Sequence, residues 1–151
     1  MIRTIVALAL AAAVAGSCGS APLTATAGPG ATLVPAAQRV ATLGEQRSDG
    51  GGVEVVATWS SAASPTLTVT MDTHSVELDG FDLAALARLR LDAGGWVAPS
   101  AFDAREGGHH RAGTLAFGTI PPAAFASARL IELRIVDVAV PERLLRWERA
   151  R

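Results

Sequence analysis

The chain of 151 residues has no Lys, no Asn and no Tyr, and only one Cys. A single thiol has no partner within the chain. That excludes an internal disulfide framework and every zinc motif built on paired cysteines. All thirteen basic residues are Arg. The codons of the three missing residues are AT-rich, which points to a GC-rich genome and removes Arg abundance as a sign of phosphate binding. The formal net charge is -1, a poor match for nucleic acid, whose binding rests on neutralising phosphates. No apolar run reaches the roughly 20 residues that a membrane-spanning helix needs. There is no HExxH helix, no G-x-S-x-G elbow and no phosphate loop in a strand-to-helix context. Ser75 beside His74 is a sequence neighbour, which does not make a catalytic triad. The expected class is therefore a protein that is not an enzyme.

What is present begins with MIRTIVALALAAAVAGSCGS. Arg3 supplies a positive start, Thr4 to Val14 form a short apolar run, and Ala15-Gly16-Ser17-Cys18 follow, with the sole cysteine last. This has the length and flanks of a secretory signal. The Ala15–Cys18 stretch resembles the lipobox of bacterial lipoproteins, with Ala15 where Leu is usual. The resemblance implies removal of residues 1–17 as a signal peptide and acylation of Cys18 by palmitate-type chains. It also implies export and anchoring in a cell membrane or outer membrane, facing the periplasm or exterior. At about 0.8 kcal/mol per buried methylene, more than one chain makes such an anchor effectively permanent. Residues 18–36, the acylated Cys18 followed by small residues and Pro without charge, read as a disordered tether. Residues 37–151 then make one domain of ordinary size.

Within that domain the dominant pattern is period 2. Val53, Val55, Ala57 and Trp59 alternate with other residues, and Leu67, Val69 and Met71 alternate with Thr66, Thr68, Thr70 and Asp72. Ala87, Leu89 and Leu91 follow the rule, as do Leu115 with Phe117, and Ile131, Leu133 and Ile135. One wet face and one dry face mark antiparallel, half-buried strands. Turn residues punctuate them at Ser48–Gly52, Ser64-Pro65, Asp92–Gly95, Glu106–Gly108 and Pro121-Pro122. The expected fold is all-β: an immunoglobulin-like antiparallel sandwich of seven or eight strands, without the usual disulfide or tyrosine corner. Single helical turns are expected after Asp82, as N-cap, and at Pro122–Ala126. The final PERLLRWERAR, with Leu145 and Trp147 alternating with Leu144 and Arg146, reads as a last, solvated strand. Its arginines 143, 146, 149 and 151 offer a weak attraction to anionic headgroups, diluted by Glu142 and Glu148.

The three histidines supply the candidate chemistry. His74 lies where one strand meets a loop, and His109 and His110 lie where a Gly-Gly turn enters another. If both ends share a pole, His74, His109 and His110 with Asp72 make a workable copper or zinc site. Adjacent strand residues point to opposite faces, so His109 and His110 cannot both serve one ion unless the backbone is still turning. The alternative has the imidazoles and Arg111 capping a loop by bonding carboxylates or turn carbonyls. The phrases MDTHS and GGHHRAG, within Thr66 to Phe117, resemble a group of uncharacterised secreted bacterial proteins expected to be β-sandwiches. Periplasmic copper-resistance proteins of immunoglobulin-like fold are a weaker analogy, because their Met-rich loops have no counterpart here. The function expected is a structural or partner-binding envelope lipoprotein, with metal binding as the alternative. Its partners would be the bilayer, through Cys18, and an envelope protein.

Overall fold

The computed structural model describes residues 43–150. The expected leader, Cys18 and the tether lie outside them. Eight strands appear in order: β1 (Gln46–Gly50), β2 (Val53–Ser61), β3 (Ser64–Thr73), β4 (Ala87–Leu91), β5 (Ala101–Ala104), β6 (His110–Ala116), β7 (Leu130–Val136) and β8 (Glu142–Glu148). Two short helices, α1 (Leu83–Leu86) and α2 (Pro122–Ser127), lie between strands. Asp82 caps α1, its carboxylate accepting from the Ala84 amide at 2.9 Å.

Every pairing is antiparallel, in one sheet ordered β1-β2-β3-β6-β5 and another ordered β4-β7-β8. The body is thus all-β and sandwich-like. The alternating apolar residues all point the expected way: Val53, Val55, Ala57, Trp59, Leu67, Val69, Met71, Leu115, Ile131, Leu133 and Ile135 are buried. Leu145 and Trp147 of β8 join them, which makes the C-terminal segment a strand as expected. Trp59 packs edge-on against Trp147, with ring centroids 5.3 Å apart, and tilted against Phe125 of α2 at 4.7 Å. Such aromatic pairs add to plain area burial.

Three details differ from the sequence reading. Ser48–Gly50 belongs to β1, so the turn shrinks to Gly51-Gly52. Pro65 does not interrupt pairing but lies in β3, beside a register shift between Trp59 and Ser61. A bulge tolerates a residue without an N–H. The strand order also departs from the immunoglobulin one. There the second strand lies between the first and fifth, whereas β2 lies between β1 and β3. Two-residue connections at Gly51-Gly52 and Ala62-Ala63 cannot carry the chain to another sheet, so β1, β2 and β3 form a meander.

Gly51 and Gly52 both have positive φ, +60° and +76°, as the favoured hairpin turn requires. A Cβ on Gly51 would also meet the Ala139 carbonyl oxygen at 2.1 Å. Gly51→Ala is therefore expected to destabilise the body by about 2–3 kcal/mol. Gly52→Ala, facing only the Ser75 hydroxyl at 3.4 Å, should cost clearly less in the same urea titration.

Candidate functional site

The histidine pole is built where β3 and β6 pair. The register places Asp49, Glu54, Asp72 and His110 in one row across β1, β2, β3 and β6. His110 Nδ1 lies 2.6 Å from Asp72 Oδ1, both groups well exposed. Arg47 of β1 makes an ion pair with Glu54. Asp49, Glu54, Asp72, His74 and His110 line an open depression of about 440 Å³.

Asp72 and His110 thus meet, and His74 shares their depression. His109 does not join them. It lies in the turn before β6, and its Nδ1 bonds the Val76 carbonyl at 3.0 Å. His109 and His110 leave the chain on opposite sides, as successive residues at a strand entry do. Among the described residues, no three His, Cys, Asp or Glu side chains are grouped to hold a metal ion.

The loop-capping alternative describes the contacts better. The Arg111 guanidinium donates to the carbonyls of Leu78 (3.0 Å), Asp79 (3.3 Å) and Phe81 (2.7 Å), and it lies over the Phe102 ring at 5.3 Å. Asp79, which the sequence reading missed, accepts from the amides of Gly107 (2.8 Å) and Gly108 (3.2 Å). Gly107 is required there, since a Cβ would lie 2.1 Å from the His110 carbonyl oxygen. The pole is two loops laced together by Asp79, His109 and Arg111. The Asp79-Gly80 turn dipeptide was the available signal.

A second polar assembly occupies the outer face of the β4-β7-β8 sheet. Glu132 projects outward from the central strand, yet it is only 1% exposed. Arg90 and Arg146, opposite it on either side, cover it. Arg90 Nε and Nη2 reach Glu132 Oε2 at 2.7 and 2.5 Å, and Arg146 Nε reaches Oε1 at 2.9 Å. Burial pushes the Glu132 carboxyl upward, but the hydrogen bonds and charges of the two arginines outweigh it and hold the group below its ordinary range. Asp92, at the end of this sheet, is held low by the backbone amides of Leu130 and Arg129, each 3.0 Å from Oδ1.

The C-terminal arginines do not form a free basic patch. Arg143 is buried, Arg146 is paired with Glu132, and Arg149 donates to the Ala62 carbonyl at 2.7 Å. Arg151 lies outside the described residues. Comparison with protein-family models, curated proteins and solved structures finds no match for the chain.

Proposed function

We propose that the protein is a lipid-anchored lipoprotein of the bacterial cell envelope whose two-sheet body binds a partner and performs no catalysis. The observation that carries this reading is the short apolar leader ending in Ala15-Gly16-Ser17-Cys18, with the only thiol of the chain at the cleavage position. The linker that follows sets the body away from the bilayer. That body is a layered scaffold of the general immunoglobulin-like kind with a strand order of its own. Its strands hold polar and charged groups on outward faces, as a binding module requires. No helix among the described residues is long and apolar enough to cross a membrane. In this reading attachment runs through the acyl chains on Cys18.

The test is fractionation with metabolic labelling by a palmitate analogue. Wild-type protein should take up label and sediment with membranes. Cys18→Ala should take up none and appear in the soluble fraction. A Cys18→Ala protein that stays with the membranes would remove the anchor from the account.

A further inference from the structure

We infer that the outer face of the β4-β7-β8 sheet is the partner-binding surface, and that its partner presents an acidic segment carrying an apolar side chain beside its carboxylates. This deepens the partner-binding reading and rests on it only for the existence of a partner.

Two cross-strand rows define the face. In the first, Arg90, Glu132 and Arg146 are opposite one another and neutralise each other in part. In the second, Arg88, Arg134 and Leu144 are opposite one another. Arg88 and Arg134 are like charges directly opposed, an arrangement that destabilises a sheet. Neither has a carboxylate within ion-pair distance among the described residues. Arg88 donates to the carbonyls of Ala85 (2.8 Å), in the preceding α1, and Ala87 (2.6 Å), at the start of its own strand. Arg134 has its Nε buried without a hydrogen-bond partner, and its guanidinium lies 4.7 Å from the Trp96 ring centre. Arg90 lies 4.4 Å from the same ring. Trp96 is therefore flanked by two guanidinium groups, and its indole is half-buried.

The third member of the row matters as much. Leu144 is 39% exposed and is the large hydrophobic side chain that the described body leaves most open. Arg side chains and an exposed Leu on strands, with Trp96 laid over them from the loop after β4, have a composition close to that of interface hot spots. Glu142 and Glu148 lie toward the two ends of β8, so Arg88 and Arg134 add two unpaired positive charges to the one that Glu132 leaves uncompensated in the first row. A carboxylate placed between Arg88 and Arg134 would relieve their repulsion, and a neighbouring apolar side chain would cover Leu144.

Charge complementarity narrows the occupant. Residues 1–42 contain no Asp or Glu, so the chain's own N-terminal segment cannot supply the carboxylate. A second copy docking by the same face would set Arg88 and Arg134 against arginines rather than carboxylates. An acidic segment of a different protein meets neither objection.

The test uses the full chain in mild detergent. The probe is a short soluble synthetic peptide in which Glu and Leu alternate with Ser, and a counterpart has Gln for Glu. Trp96 is the half-exposed indole, while Trp59 and Trp147 are buried, so intrinsic fluorescence reports on this face. The acidic peptide should bind at low salt with a dissociation constant on the order of 10–100 µM, and weaken as salt is raised. Arg88→Gln and Arg134→Gln should each weaken it about tenfold. Arg134→Lys should fall between wild type and Arg134→Gln, because it keeps the charge and loses the planar stacking group. Arg105→Gln, just after β5 of the other sheet, should bind as wild type does. Arg88 bonds only local carbonyls, so its variant keeps the test decisive should Arg134→Gln fail to fold. Equal binding of the Gln peptide, or unchanged binding by a folded Arg88→Gln protein, would overturn the proposal. So would inorganic phosphate binding as tightly as the peptide, or binding of Cys18→Ala protein to phosphatidylglycerol vesicles that is as tight and is weakened by Arg134→Gln. Concentration-dependent self-association abolished by Arg134→Gln would assign the face to a second copy instead.

Discussion

Replacing Arg143 by Ala is expected to lower the unfolding free energy by about 3–5 kcal/mol, a large part of the 5–15 kcal/mol typical of a domain. Arg143 projects inward from β8 and is 3% exposed. Its Nη1 donates to the Ser48 carbonyl at 2.7 Å. Its Nη2 donates to the carbonyls of Gly50 (2.7 Å), Val53 (3.1 Å) and Val138 (3.2 Å). The guanidinium thus ties β1, at the edge of one sheet, to β8, at the edge of the other. Burial lowers its pKa, and the charge of Asp49 opposes that shift. Truncation would strand several buried carbonyls, each costing roughly 1–3 kcal/mol when left without a donor. Arg143→Met separates the causes, since it keeps the aliphatic stem and removes the donors. If hydrogen bonding dominates, Met should be nearly as damaging as Ala, with a lower urea midpoint and an unchanged slope. A Met variant within about 1 kcal/mol of wild type would show that packing of the stem is what matters.

Glu132→Gln is expected to move stability and binding in opposite directions. Removing the carboxylate leaves Arg90 and Arg146 without their partner. Both are partly solvated, so the cost is below that of a fully buried pair, about 1–3 kcal/mol at neutral pH. The pH dependence has a definite sign. The folded carboxyl is held below its ordinary value, so its contribution is present above the unfolded value near about 4.3. It is lost as pH falls through the folded value. The gap between wild type and Glu132→Gln should therefore be full at neutral pH and close on acidification below about pH 4. A gap that stays constant across the acid range would mean that the carboxylate charge is not what stabilises this face. The same substitution frees two more guanidinium groups beside Arg134, so the acidic peptide should bind Glu132→Gln more tightly than wild type. Weaker binding by that variant would argue against an electrostatic interface.

The strands whose inner faces are apolar were readable from alternation alone. Val53, Val55, Ala57 and Trp59 of β2, Leu67, Val69 and Met71 of β3, Ile131, Leu133 and Ile135 of β7, and Leu145 and Trp147 of β8 alternate in this way and lie in the core. β1 escaped notice because its inward positions are Gln46, Ser48 and Gly50, opposite Ala57, Val55 and Val53. A strand of that composition looks like a turn until Arg143 is seen donating to its carbonyls. Glu132 alternates with Ile131 and Leu133, a spacing that by itself places it on the solvent face. Its burial comes from Arg90, forty-two residues away in sequence, which no local pattern reports. At the pole, the sequence brought out the right histidines but not their directions. The route of the backbone through Gly107 and Gly108 turns His109 toward Val76 and leaves His110 with Asp72.

Composition and periodicity by themselves determined that the body is built of antiparallel strands, which side chains fill its interior, and that no disulfide staples it. These are properties of residue type and spacing, and they hold before any two distant segments meet. The tertiary structure decided the sheet order, the burial of Arg143 and Glu132, the separation of His109 from His110, and the meeting of Arg88, Arg134 and Leu144 in one row. Each of those depends on contacts between residues far apart in the chain, whose free energy exists only once the strands are paired.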